Sequence, residues 1–348
     1  MKKLGLIVLL FFILIGALCV GPLNRPYTAV KQYLLSSPAQ KAHFHLKRGY
    51  QCEKEGRFHM ALWHYGRVVE LTPSNSEAYI YRGTLKNNYG YFESALEDFD
   101  KAIALNSHND TAYNNRAFSK NNLGDYAGAL EDTTRAIELA PQSPNAYTNR
   151  GIAKENLGDY KGAVADYDKS LELRPNHDRT YTDRGNAKKE LGDYQGAVQD
   201  HTKAIELNPR NAGAYNNRGL AKDALKDYAG ALEDFDKAIS LSPHYAYAYN
   251  NRGFTKNNMK DYAGALRDFE ICLRWRPQHP GAYFGRGNAR AGLEDLRGAV
   301  ADYDIAIQLD PNDADFYEAR AKAKESLGDY NGSVEDWKMS KQLRISSH

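Results

Sequence analysis

Apolar residues recur along this chain at two nested periods. The short one is helical. Leu225, Tyr228, Ala231, Leu232, Phe235, Ala238 and Ile239 are spaced by threes and fours. The long one is 34 residues, and the unit is well seen between Ala212 and Tyr245. Counting places from Ala212, the twentieth place is Ala61, Ala95, Ala129, Ala163, Ala197, Ala231, Ala265, Ala299 and Ser333. The thirty-second is Pro73, Pro141, Pro175, Pro209, Pro243, Pro277 and Pro311, with Ser107 and Ile345 in the same register. Nine units therefore follow one another without insertion or deletion. A fixed period of this length predicts a stacked array rather than a domain built around one central site.

Within each unit the apolar positions fall into two runs, which predicts two helices. The break between them reads Gly124–Asp125, Gly158–Asp159, Gly192–Asp193 and Gly328–Asp329. Glycine ends the first helix in a left-handed residue, and aspartate caps the second. Lys226, Lys260 and Glu294 stand where glycine fits best, which predicts less stable turns there. Proline at place thirty-two closes the second helix. Gly219 and Ala231 are expected to face one another between the helices. One unit cannot stand alone: burying a large apolar side chain yields ~1.5–3 kcal/mol, whereas ordering costs ~1–2 kcal/mol per residue. Neighbouring units must supply the difference.

Tyr215, Gly219, Ala231, Phe235, Ala238 and Pro243 match the pattern of the tetratricopeptide repeat, place for place, and on those residues the chain resembles that family. The resemblance runs over residues 42–345. It implies an all-α fold, a right-handed superhelix of antiparallel helix pairs in which the first helix of each pair lines a concave groove.

Ahead of the repeats the chain changes character. Met1-Lys2-Lys3 precedes Leu4–Val20, where the Cys19 thiol is the one polar side chain. Residues 1–21 read as a signal anchor or a signal peptide. Ala17 and Cys19 fit a cleavage site poorly, and Leu18 does not suit a lipoprotein box, so an uncleaved anchor is the adopted reading. Residues 22–41, with Pro22, Pro26 and Pro38, read as a linker in which 28–35 has helical potential. The amino terminus, Lys2 and Lys3 before the span, against Arg25 and Lys31 close behind it and Lys41 a little later, favour the tail inside and the repeats on the non-cytoplasmic side. Cleavage would instead release a secreted protein.

Seven of the 46 basic residues precede Glu53, and none of the 44 acidic ones does. The array itself thus carries a small acidic excess, which argues against a nucleic-acid partner. Cys52 and Cys272 lie many units apart and predict no disulfide.

Arginine occupies the seventh place of all nine units, from Arg48 to Arg320, and aspartate the twenty-third place of eight, from Asp98 to Asp336. The expectation is a repeated charge pair between the two helices, with the eleventh-place lysines sharing in it, rather than a phosphate-binding stripe. The sixth place is the candidate binding column. It holds Asn115, Asn149, Asn217 and Asn251, interrupted by Asp183 and preceded by Asn114, Asn216 and Asn250. The resemblance puts this place on the concave surface. Amides there could donate to and accept from an extended peptide backbone without reading its side chains. The column resembles the asparagine ladder in the repeat superhelix of O-GlcNAc transferase, without any transferase domain. Phe118 and Phe254 would add apolar contacts to that groove, and Asn121 and Asn257 polar ones. The bland alternative is a tolerated surface residue copied by duplication. The cationic clamp of chaperone-tail binders is not matched, since Ile80 and Thr84 precede Asn115 and Thr182 stands at the lysine place before Asn217.

Catalytic chemistry finds no pattern of its own. His43, His45, His64 and Cys52 gather in the first unit, but His43 and His45 point to different helix faces. Gly285-Arg286-Gly287 lies inside a helix and is no nucleotide loop. Neither a catalytic residue nor a metal site nor a cofactor is expected. The sequence reads as a noncatalytic, membrane-tethered scaffold that binds an extended polypeptide of a protein or peptide partner in its groove. The rival is a structural or self-assembling subunit of a membrane or cell-envelope complex acting through its convex face, and a homo-oligomer is compatible with either.

Overall fold

The structure, a computed structural model, describes residues 33–346. The apolar stretch Leu4–Val20, read above as an anchor, lies outside the described residues, as does most of the expected linker. No helix among the described residues is long and apolar enough to cross a membrane.

The chain divides into two compact units that meet between Leu157 and Gly158. The first contains α1 (Pro38–Lys54), α2 (Phe58–Leu71), α3 (Ser76–Asn88), α4 (Phe92–Leu105), α5 (Asp110–Leu123), α6 (Tyr126–Leu139) and α7 (Pro144–Asn156). The second contains α8 (Tyr160–Leu173), α9 (Asp178–Glu190), α10 (Tyr194–Leu207), α11 (Ala212–Ala224), α12 (Tyr228–Leu241), α13 (Ala246–Asn258), α14 (Tyr262–Trp275), α15 (Pro280–Gly292), α16 (Leu296–Leu309), α17 (Ala314–Ser326) and α18 (Tyr330–Ser346). Inside each unit a helix packs mainly on its hairpin partner. The second helix of a repeat then meets the first helix of the next, and successive first helices touch along one side. The helix α1 begins within the stretch read as linker: Ser37 and Gln40 form a reciprocal capping box that starts it at Pro38.

The turns follow the expected chemistry. Gly124 is left-handed at φ 83°, and Lys226, Lys260 and Glu294 are forced into the same region at 63°, 63° and 67°. Asp125 and Asp227 each accept from the backbone N–H three residues on, at 3.0 Å.

One packing expectation is corrected. A Cβ on Gly219 would meet the Phe235 ring at 2.7 Å, so the aromatic of place twenty-four, not Ala231, needs that glycine. Ala231 is fully buried in its own right. The pairing explains a departure in the third repeat, where Ala117 stands at the glycine place and the buried Thr133 at the aromatic one. Volume moves from one helix to its partner, as close packing requires. His201 takes the aromatic place of the fifth repeat. It is fully buried, a Cβ on Gly185 would meet its ring at 2.8 Å, and neither ring nitrogen has a hydrogen-bond partner.

The arginine column is structural, as expected. Arg218 Nη2 lies 2.5 Å from Asp234 and Lys222 Nζ 2.8 Å from its other oxygen. The same trio recurs at Arg82, Lys86 and Asp98, at Arg116, Lys120 and Asp132, and at Arg320, Lys324 and Asp336. Each aspartate is buried, and each arginine also stacks on the fourth-place tyrosine, 5.5 Å from the Tyr215 ring in the case of Arg218. The free edge of the guanidinium reaches the preceding repeat, as in Arg116–Asp100 at 2.7 Å and Arg320–Asp304 at 2.6 Å. In the first repeat His64 takes the aspartate place, and its Nδ1 sits 2.8 Å from His45 Nδ1 in a buried pair.

Candidate functional site: an asparagine ladder on the first helices

Places five and six of a first helix face the neighbouring first helix, because the spacings of three and four put them on one stripe with places nine and thirteen. An amide there reaches the next repeat. In the first unit Asn115 Nδ2 donates to Thr84 Oγ1 at 3.0 Å, Asn114 Nδ2 to Asn115 Oδ1 at 3.2 Å, and Asn149 Nδ2 to Asn114 Oδ1 at 3.0 Å. The second unit repeats the construction. Asn217 Nδ2 donates to Asn186 Oδ1 at 2.9 Å, Asn216 Nδ2 to Asn217 Oδ1 at 3.1 Å, Asn251 Nδ2 to Asn216 Oδ1 at 3.0 Å, and Asn250 Nδ2 to Asn251 Oδ1 at 3.3 Å. Each of these side-chain bonds from one repeat to another has the later repeat as donor. The result is a directional ladder that fixes the register of one first helix on the next.

This alters the expected site. Asn149, Asn216 and Asn250 are buried, and Asn114, Asn115, Asn217 and Asn251 are half-buried. The amides are first of all rungs between repeats. Asn115, Asn217 and Asn251 each give one N–H and one oxygen lone pair to the ladder, half of what an amide offers. Asn121 and Asn257 also reach across to the neighbouring repeat. Their amides clip the next first helix, donating to the Asn149 and Gly285 carbonyls at 2.9 and 2.8 Å. Phe118 and Phe254 are half-buried; the Phe118 ring lies edge-on to Phe92 at 6.1 Å and the Phe254 ring edge-on to Phe269 at 5.1 Å.

The sequence reading missed the partners of these clips. Asn87 donates to the Asn115 carbonyl at 3.0 Å, and its Oδ1 accepts from the buried Ser119 hydroxyl at 2.7 Å. Thr255 likewise donates to Asp223 at 2.6 Å. A signal was present: place ten carries a hydroxyl in two units, and each time the unit before it has Asn or Asp at place twelve. Where place ten is Ala153 or Ala289, the facing oxygens Asn121 Oδ1 and Asn257 Oδ1 are buried without a partner. Ala153→Ser and Ala289→Ser should each satisfy one of them and raise stability by about 1 kcal/mol. Urea midpoints of the single variants measure it. A drop in both would show that the pocket behind the amide has no room for a hydroxyl.

The ladder ends where the sixth place becomes Gly285 and Ala319. There a cleft of about 410 Å³ opens between α15 and α17. Phe284, Leu296, Tyr303, Ala291 and Ala323 form its apolar wall, with Asn288 accepting from the Tyr303 hydroxyl at 2.8 Å. Asp315, Glu318 and Lys322 stand at its rim, and Arg344 ties Asp315 and Glu318 together at 2.8 and 2.7 Å. Among the described residues no group of three His, Cys, Asp or Glu could hold a metal ion.

Models of the tetratricopeptide repeat match residues 110–143, 144–177, 212–245 and 258–314, and a model described as TPR repeat matches 185–222. Together they cover more than half of the chain. No curated protein matches the sequence. Among solved structures, a chain of the APC/C hetero-tetramer Cut9–Hcn1 aligns with a TM-score of 0.62 at 15% identity, over 82% of this chain and 55% of that one. The present chain thus spans about half the length of that relative. A tetratricopeptide repeat protein from Parabacteroides merdae aligns at 0.56 and 22% identity, over 72% of this chain and 99% of that one. The pilF protein of Pseudomonas aeruginosa aligns at 0.54 and 20%, over 61% and 97%. At these identities the likeness is one of fold. Tandem repeats matched in register by family models, and hairpins stacked as described, carry one conclusion: the chain belongs to the tetratricopeptide repeat family, whose fold serves as a scaffold for contacts between proteins.

Proposed function

We propose that this protein is a noncatalytic scaffold, tethered to a membrane through Leu4–Val20 with its repeats on the non-cytoplasmic side, that holds an extended polypeptide along its first helices. The observation that carries the reading is the ladder. Asn115, Asn217 and Asn251 recur at one place of the unit, half-exposed, with one donor and one acceptor left beyond the bonds between repeats. A peptide backbone offers alternating donors and acceptors and needs that chemistry without charge. The apolar cleft beyond the ladder would seat one large side chain of the same segment. The anchor rests on the sequence of Leu4–Val20 and on the lysines before it.

Asparagine-to-alanine replacement is a poor test, because each loss also removes a rung between repeats. Photo-crosslinking avoids that. A photoreactive residue at the exposed Ala224 or Asn258 stands on the stripe of the ladder, and one at the exposed Glu233 stands on the second helix. In native membranes the expected result is a crosslinked polypeptide partner from positions 224 and 258 and none from 233. Crosslinks from 233 alone would favour assembly through the convex face instead.

A further inference from the structure

The first repeat breaks the polarity of the array. At place twenty-two the other repeats carry Glu97, Glu131, Glu233, Glu335, Gln199, Arg267 or a small alanine, Ala165 and Ala301, but the first carries Trp63. At place three, where alanine is the rule, it carries Phe44. Both are exposed, at 40% and 45%, and Leu34 and Leu35 beside them at 49% and 78%. A terminal repeat ordinarily turns a polar face outward.

These side chains form one patch. The Tyr33 ring lies 5.3 Å from Phe44, its hydroxyl is 2.8 Å from His45 Nε2, and the His45 ring is 5.3 Å from Trp63. Tyr33 thereby pins the entering chain to the repeat. Lys41 stacks over the Tyr33 ring at 5.6 Å and donates to the Leu34 carbonyl at 3.3 Å. The charge around the patch is mainly positive: Lys41 and Arg67 both act on Tyr33, no acidic residue precedes Glu53, and the nearby carboxylate of Glu70 is paired with Arg67. Indole, phenyl and leucyl groups beside lysine and arginine suit the boundary between acyl chains and anionic head groups.

We propose that this face of the first repeat rests on an anionic lipid surface. The inference rests on the membrane tether proposed above. Twelve residues separate Val20 from Tyr33, and they span at most ~40 Å. A chain anchored at Leu4–Val20 therefore keeps the patch within reach of its own bilayer, at high effective concentration. Exposed aromatics that would cost solubility in free solution become a second contact, which limits how the repeats tilt away from the membrane.

The test uses the full chain carrying Trp275→Phe and Trp337→Phe, so that Trp63 is the one tryptophan left. It is reconstituted into phosphatidylcholine–phosphatidylglycerol vesicles, with and without lipid brominated near the head group. The expected result is flotation with the vesicles, a blue-shifted Trp63 emission, and quenching by the brominated lipid. The quenching should weaken in pure phosphatidylcholine and in high salt. Flotation without quenching overturns the patch and leaves the tether standing. Loss of both flotation and quenching overturns the two together. Quenching that is the same in pure phosphatidylcholine overturns the anionic preference. A blue shift that appears without vesicles and grows with protein concentration assigns the face to a second copy of the chain and overturns the proposal.

Discussion

Asp302→Ala is expected to destabilise the protein by about 3–5 kcal/mol. The Asp302 carboxylate is 1% exposed and is held by Arg286 Nη2 at 2.6 Å and Arg290 Nη1 at 2.9 Å. Its hydrogen bonds push the Arg286 guanidinium above its ordinary range. Elsewhere the second cation of the trio is a lysine, which can lose its proton when its partner is removed. Here both are arginines, which cannot. Removing the carboxylate leaves two fixed positive charges facing each other in a half-buried seam. Asp304→Ala, which removes an exposed partner of Arg320, should cost less than about 1 kcal/mol. Because a repeat array need not unfold as one unit, the variant is read by two measurements. Urea unfolding should become broader or biphasic, and hydrogen exchange should quicken first in α15 and α16. Equal effects of Asp302→Ala and Asp304→Ala would mean that burial does not govern the strength of these pairs.

Mild acid is expected to act chiefly through three buried histidines. Burial holds His201 at about 4, and it does the same for His45 and His64, with Arg67 adding to the effect at His45 and the His45 charge at His64. Around His201, Asp200 and Asp234 oppose that shift while Lys189 and Arg218 reinforce it. A histidine whose folded pKa lies below its unfolded value of 6.5 favours the folded state fully above pH 6.5. The contribution is lost as pH falls from 6.5 towards 4, and it is flat below that. For His201 the loss amounts to about 3 kcal/mol across the window. His201→Phe restores the residue that Phe235 and Phe269 supply at the same place, opposite Gly185. It should abolish this part of the pH dependence in the second unit and stabilise the protein at neutral pH. The acid sensitivity of the first unit, which holds His45 and His64, should persist. Thermal melts and hydrogen exchange at pH 7 and pH 5 check both statements. An unchanged pH slope in α9 and α10 would show that His201 is not the group that titrates.

Much of this molecule was legible because a repeat displays each rule nine times. The period fixed the hairpins, glycine and aspartate marked the turns, and arginine against aspartate marked the pairing of the two helices. Lys226, Lys260 and Glu294 announced their strained turns by being the wrong residue at a known place. These features depend on contacts inside one unit, close in sequence, and periodicity reports such contacts directly. The asparagines were legible as a column but not as a ladder. Whether an amide at Asn115 meets solvent or Thr84 depends on how closely one first helix lies on the next, and that distance is set by packing between units. The same limit hid the clips of Asn121 and Asn257, the cleft that opens where Gly285 and Ala319 replace asparagine, and the Phe235 ring as the true neighbour of Gly219. Sequence alone determined the fold, its register and its charge pairing. Only the tertiary structure decided which polar groups are taken up between repeats, because that depends on how closely each repeat lies on the one beside it.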